Sequence, residues 1–224
     1  MGRREYGQPC SLACALDSIG ERWALLIVRE LSLGPLRFSD LDRAVGGAPT
    51  DVLTKRLRDL EADDIVEKRE LVHPAPAVVY ELTEFGRGLE RPMMELARWG
   101  LGLQKVEEFA DLAPSSLASG LRIILRPPAD FELTLSLCSG GEAFGLHFAS
   151  GWIAASRGVP TQPDLTLAGT PLEVIGALLA GDATALGVEV EGDRDALDRL
   201  REMVEIPAGL RGEALELLAT AGTR

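Results

Sequence analysis

Residues 49–86, PTDVLTKRLRDLEADDIVEKRELVHPAPAVVYELTEFG, constrain the fold more than any other stretch. They read as a helix, a strand, a proline-containing tip and a second strand. Leu53, Leu57 and Leu60 recur at i, i+4 and i+7 and make one apolar stripe. At about 100° per residue, Asp51, Lys55 and Arg58 lie opposite that stripe, with Thr54 to one side. Short polar and cationic side chains facing outward are the types that bond phosphates and base edges. Residues 65–71 and 78–82 read as two strands joined by HPAPA, and both prolines sit in the tip, where no ladder N–H is needed. A helix followed by such a hairpin is either a DNA-reading helix with its wing or plain structure, because a helix-turn-helix has no sharp spacing rule.

The preceding chain supplies the rest of a small helical head. Ser11 to Ile19 predicts a short helix with Leu12, Ala15, Leu16 and Ile19 inward. ERWALLIVRELSLG predicts a buried central helix with Trp23, Leu26, Ile27 and Leu31 on one face, stopped by Gly34-Pro35. In FSDLDRAV, Ser39 is placed to cap a helix and Phe38 to staple its first turn. Gly46-Gly47 then turns the chain into the helix at Thr50. After the hairpin, Thr83 is placed to cap a long helix from Glu84 to about Phe109, interrupted at Pro92. That helix carries Phe85, Leu89, Met93, Leu96, Trp99 and Leu103. It is longer than so small a core requires, and it suggests a dimer contact, with packing on a second domain as the alternative.

Charge and composition narrow the function. The net charge is -12, which argues against general affinity for nucleic acid but leaves room for a local basic face. Residues 1–111 hold 15 basic and 20 acidic side chains, and the rest of the chain 8 and 15, so the second part is the poorer DNA contact. The DNA-contacting candidates are therefore Arg37, Ser39, Thr50, Asp51, Thr54, Lys55 and Arg58, with Arg69 and His73 near the wing tip. No apolar run is long enough for a membrane span, and the polar start MGRREYGQPC does not read as a secretory signal, so the expected location is cytoplasmic. Cys10, Cys14 and Cys138 make no disulfide framework, and His73 and His147 stand far apart, so no metal and no cofactor is expected. There is no GxSxG, no phosphate-cradling glycine loop and no zinc spacing, so an enzyme is not expected.

These blocks resemble the HxlR family of bacterial winged helix-turn-helix regulators, relatives of the MarR type. The resemblance covers residues 10–100. It rests on Cys10, ALDSIGERW at 15–23, LLIVREL at 25–31, GPLRFSDL at 34–41, VLTKRLRDL at 52–60 and VYELTEFG at 79–86. It implies operator binding as a dimer, the helix after Gly47 in the major groove, the wing along the minor groove, and a dimer formed by the first and last helices. Two positions depart from the family pattern. Pro49 stands where a Ser cap is frequent, and Asp51 puts an acid on the DNA face, where it repels phosphates but can accept from a cytosine amino group. Arg56 matches the motif but lies near the buried side, and it is read as partly structural. Cys10 matches a cysteine that in some members senses oxidants or electrophiles; a small packing residue is the alternative.

The chain changes character at LAPSSLASG, residues 112–120, which reads as a linker. LRIILR, FELTLSL, EAFGLHFAS, GWIAASRG, PDLTLAG and GVEVEG then predict six strands. TPLEVIGALLAG predicts a helix with a Thr170–Glu173 capping box, Pro171 in its first turn and Gly181 at its end. Asp193 is placed to cap a last amphipathic helix. The expected fold class is α+β in two domains, with a winged helix-turn-helix DNA-binding and dimerisation domain expected over residues 1–111, a linker over 112–119 and a second domain, a candidate for ligand sensing, over 120–224.

The segment PDLTLAGTPLEVIGALLAGDATALGVEVEGDRDALDRL resembles the sterol carrier protein type 2-like fold, which implies an apolar tunnel for lipid-like molecules. Phe144, Phe148, Trp152 and Ile153 are candidates to line it, with ordinary core as the alternative. The chain is thus expected to be a homodimeric transcriptional regulator of operator DNA with a possible hydrophobic effector. The rival reading is a protein-partner or lipid-binding module whose winged helix contacts protein.

Overall fold

The computed structural model describes residues 5–71, 76–104, 112–180, 183, 186–206 and 212. The chain divides into two compact units, Met1–Met93 and Met94–Arg224.

The first unit contains α1 (Ser11–Ile19), α2 (Ala24–Leu31), α3 (Phe38–Val45), α4 (Thr50–Ala62), β1 (Val66–Leu71), β2 (Ala77–Leu82) and α5 (Glu84–Arg87). Ile27 and Val28 of α2, Leu41 of α3 and Leu53, Leu57 and Leu60 of α4 are at most 1% exposed and form its core. Burying each such side chain stabilises the fold by about 1.5–3 kcal/mol, so the periodic leucines of α4 fix which way that helix faces. β1 and β2 pair antiparallel from Val66↔Leu82 to Leu71↔Ala77. Leu36 bridges to Tyr80 through two backbone bonds of 3.0 and 2.8 Å, which attaches the α2–α3 connection to the hairpin.

The turn between α3 and α4 uses Gly46 (φ 61°) and Gly47 (φ 74°), a left-handed pair that suits glycine. The hairpin ends at Thr83, whose Oγ1 accepts from the Gly86 amide at 2.9 Å and caps α5 as expected. Here Gly86 has no substitute. A Cβ on it would stand 2.0 Å from the Ile65 carbonyl oxygen.

Four local expectations change in this unit. In α1 only Ala13 is buried; Leu12 is 67% exposed, and Ala15 and Leu16 are exposed too. The apolar face of α1 thus points to solvent. Leu26 of α2 is also exposed, at 37%. α3 begins at Phe38 with Arg37 as N-cap and no side-chain cap bond, so Ser39 lies inside the helix and Phe38 cannot staple from outside it. The long helix predicted from Glu84 breaks at Gly88-Leu89 into α5 and α6 (Glu90–Leu101), not at Pro92. Pro92 falls in the first turn of α6, where its missing N–H leaves no intrahelical bond unmade. The predicted continuation to Phe109 runs into residues 105–111, outside the described residues.

The second unit continues with α7 (Pro114–Ile124), β3 (Leu133–Ser139), β4 (Glu142–Ala149), β5 (Trp152–Arg157), β6 (Leu165–Ala168), α8 (Pro171–Ala180), β7 (Glu189–Gly192) and α9 (Arg194–Glu202). The strand order is β5-β4-β3-β6-β7. β3 and β6 are parallel and the other pairs antiparallel, so the class is a mixed α+β sheet domain. Leu135, Leu137, Phe144, Leu146, Leu165 and Leu167 are fully buried in it. The predicted helix caps hold. The Thr170 amide donates to Glu173 at 2.7 Å and the Glu173 amide to Thr170 Oγ1 at 3.4 Å. Asp193 accepts from the Asp195 and Ala196 amides. α8 ends at Ala180, and Gly181 lies outside the described residues.

LRIILR is not a strand. Its residues 121–124 are the end of α7, Leu125 is the C-cap and bridges to Val204, and residues 114–120 of the stretch read as a linker are the start of the helix. Pro114 takes the first helical position, where its fixed φ favours the start, and Leu117, Ala118, Leu121 and Ile124 are buried.

Candidate nucleic-acid interface

α4 presents its non-leucine side to solvent. Thr50, Asp51, Lys55 and Arg58 are exposed, and Thr54 and Arg56 are half-buried. Their environments differ. Thr54 Oγ1 donates to the Thr50 carbonyl at 2.7 Å, so its proton is used inside the helix. Lys55 Nζ reaches Asp59 Oδ2 at 3.2 Å. Arg56 donates to Asp59 at 2.8 Å and to Glu21 at 3.0 Å, and its side chain is only 13% exposed, in keeping with its structural reading. Among the described residues, Arg58 and Asp51 have no side-chain partner.

Arg37 and Ser39 are exposed at the start of α3, and Arg37 likewise has no side-chain partner among the described residues. Arg43, in the last turn of α3, joins this exposed set although it was not among the sequence candidates. Its side chain is 80% exposed and 3.7 Å from Asp40. Its place one turn before Gly46-Gly47 was the available signal.

In the wing, Arg69 clamps Glu81 with Nε at 2.5 Å and Nη2 at 2.9 Å, and this carboxylate holds the guanidinium pKa above its usual value. Two of the Arg69 nitrogens, Nε and Nη2, are thus occupied by Glu81. Lys68 bonds Glu61 and lies 5.3 Å from the Tyr80 ring; the Glu61 bond raises its pKa, and it braces β1 against α4. His73 falls at residues 72–75, outside the described residues.

Cys10 is exposed and stands at the N-cap of α1. The backbone amides of Ala13, and then Leu12, lower its thiol pKa. Cys14 is exposed one turn on, and its amide donates to the Cys10 carbonyl at 3.0 Å.

In the sheet domain Phe144, Phe148 and Ile153 are buried on β4 and β5, and Trp152 is half-buried under the Arg122 guanidinium at 5.3 Å. Phe148 packs edge-on against Phe131 at 5.6 Å. Of the four cavity candidates, Phe148 lines an open groove of about 690 Å³, together with Glu132, Thr134, His147, Asp164, Asp193 and Arg199. That groove is predominantly polar, and two of its three acids, Asp164 and Asp193, are already engaged. Asp164 accepts from the Thr134 amide at 2.7 Å, and Asp193 caps α9 and pairs with Arg199 at 2.9 Å.

Two helices joined by a Gly-Gly turn, followed by a two-stranded hairpin braced at Leu36, define a winged helix-turn-helix protein. The model of the HxlR-like helix-turn-helix family matches residues 18–108. An HTH-type transcriptional regulator of Bacillus subtilis, YybR, is 36% identical over 113 residues, which span 50% of this chain and 85% of YybR. YtcD of the same organism is 35% identical over 100 residues, 45% of this chain and 78% of YtcD. The chain belongs to the HxlR-like helix-turn-helix family. Among solved structures it is similar to the redox regulator HypR in its oxidized form, at 34% identity and TM-score 0.40, with 43% of this chain and 99% of that one covered. It is also similar to reduced YodB from B. subtilis, at 32% identity and TM-score 0.38, with 42% and 92% covered.

Proposed function

We propose that this DNA-binding transcriptional regulator of the HxlR, MarR-like type acts as a homodimer that reads operator DNA with α4 and is modulated through its second domain. The observation that carries the reading is the division of α4. Three buried leucines hold one side, while Lys55 and Arg58 stand on the other, next to a hairpin wing. Arg37, Ser39, Thr50, Asp51 and Thr54 complete the proposed contact set on the helices, with Arg69 and His73 on the wing. The net charge of -12 confines productive contact to this small set and keeps binding away from DNA at large.

Dimerisation is supported by apolar side chains exposed on helices: Leu12 and Leu16 on α1, and Leu96 and Trp99 (70% exposed) on α6. A two-fold dimer also matches a two-fold operator. Residues 120–224 are the proposed sensor, outside residues 18–108, which the family model matches. An apolar molecule entering beside Phe144, Phe148, Trp152 and Ile153 changes DNA affinity only if it prefers one spacing of the two α4 helices. Cys10 is a second proposed input, because an exposed thiol with a lowered pKa is the more reactive kind.

Footprinting on DNA upstream of the protein's own gene tests the reading. The expected result is two protected half-sites about one helical turn, or roughly 10 base pairs, apart. Protection of no discrete site, with the protein folded, overturns it.

A further inference from the structure

The exposed ridge of α4 is not uniformly cationic. Its N-terminal end carries Asp51, the second residue of the helix, exposed and without a side-chain partner among the described residues. The nearest cation one turn on, Lys55, lies on Asp59 instead, and Asp59 also holds Arg56. Neutralisation within the helix is therefore directed away from Asp51, towards the middle of α4. The N-cap is Pro49, which makes no side-chain bond at the helix start.

An unneutralised acid at this place has a specific consequence if α4 enters the major groove, and the inference rests on that reading. Recognition helices contact base edges with their N-terminal residues. A carboxylate only accepts hydrogen bonds. In the major groove it is repelled by the guanine O6 and N7 acceptors, by thymine O4 and by every phosphate. Adenine offers an N6 donor beside its N7 acceptor, whereas cytosine offers its N4 amino group without a competing acceptor. We infer that Asp51 is a specificity-determining residue that requires a cytosine at one position of each operator half-site and weakens binding to all other DNA. It discriminates mainly by penalty, while Arg58 and Arg37, whose guanidinium groups have no partner among the described residues, supply attraction.

A plain structural role competes with this. An acid in the first turn also stabilises the positive end of the helix. The two roles separate in what substitution does to base preference.

Selection of duplexes from a randomised library by the full-length protein, Asp51→Asn and Asp51→Ala, followed by affinities on the selected sites, provides the test. The wild type is expected to select a cytosine in each half-site and to lose about tenfold in affinity when it is replaced by thymine. Asp51→Ala should lose less than about twofold on the same change and bind random duplex more tightly, since a repulsive charge has gone. Asp51→Asn, close in shape and so a guard against misfolding, should move the preference to adenine, whose N6 and N7 an amide bonds together. Identical preferences in all three proteins overturn the inference and leave α4 as the reader. So does a uniform loss of affinity with a lowered melting temperature, which would make Asp51 a helix-end charge. If the wild type selects no sequence, the reading of α4 fails and this inference falls with it.

Discussion

Arg56 of α4 and Glu21, thirty-five residues earlier at the approach to α2, meet with Nη2 3.0 Å from Oε2. The same guanidinium donates to Asp59 at 2.8 Å, so one side chain ties α4 to itself and to the start of the helical head. Arg56 is 13% exposed and Glu21 56% exposed, so the pair is partly screened. Arg56→Ala is expected to lower stability by about 1 kcal/mol, read by urea denaturation, and to weaken operator binding by loosening α4. Unchanged stability would show that the bridge contributes nothing to holding the helix.

Gly86 tests the junction of wing and helix. The Ile65 carbonyl oxygen lies where a Cβ would go, at 2.0 Å, and the neighbour is backbone that cannot rotate away. Gly86→Ala should cost about 3 kcal/mol or more by urea unfolding. Thr83→Ala removes the cap on Gly86 and the hydroxyl bond to the Asp64 carbonyl, and should cost about 1–2 kcal/mol. A Gly86→Ala protein as stable as the wild type would contradict the close approach.

The head was legible in sequence because its helices and hairpin follow simple periods. Leu53, Leu57 and Leu60 fixed the face of α4, and the alternating apolar residues of β3, with the Gly140-Gly141 turn, fixed the sheet hairpin. Two misreadings have physical causes. α7 is buried over most of its surface, including Arg122, so LRIILR shows no helical period and its isoleucines suggest a strand. α1 has a genuine apolar stripe, but periodicity identifies a face without saying what covers it, and Leu12 and Leu16 meet solvent. The interface residues were legible by type and angle. The pairing of Lys55 and Arg56 with Asp59 follows from helical spacing, but the partners Glu21, Glu61 and Glu81 come from elsewhere in the chain and were not legible.

Cys10 provides a pH test. Its pKa is lowered by the amides of Ala13 and Leu12, so the thiolate should persist below the ordinary thiol range. Alkylation by iodoacetamide should contain a fast component whose rate holds up as the pH falls towards neutrality. Cys10→Ser should remove it. A fast component that survives Cys10→Ser would assign the reactivity to another thiol.

The exposed apolar side chains predict the oligomeric state. Leu16→Asp and Trp99→Asp, each placed on a residue already facing solvent, should leave the protomer folded by circular dichroism. Light scattering should then show a dimer for the wild type and a monomer for one or both variants, with operator affinity falling alongside. A monomeric wild type, or dimers in both variants, would contradict dimerisation through α1 and α6.

The central claim, that the outward ridge of α4 reads DNA, is tested most directly by fluorescence anisotropy on a fragment of the protein's own promoter and on its scrambled sequence. The wild type and Arg58→Ala should be titrated at several salt concentrations. Arg58 is exposed and has no side-chain partner among the described residues, so its removal should leave the melting temperature unchanged. Tighter binding to the promoter than to the scrambled duplex is expected, with an affinity that falls steeply with salt. A loss of about 1–3 kcal/mol is expected in Arg58→Ala if the contact is to a base. Equal affinity for both duplexes, or an Arg58→Ala protein that binds as the wild type does, would contradict the claim.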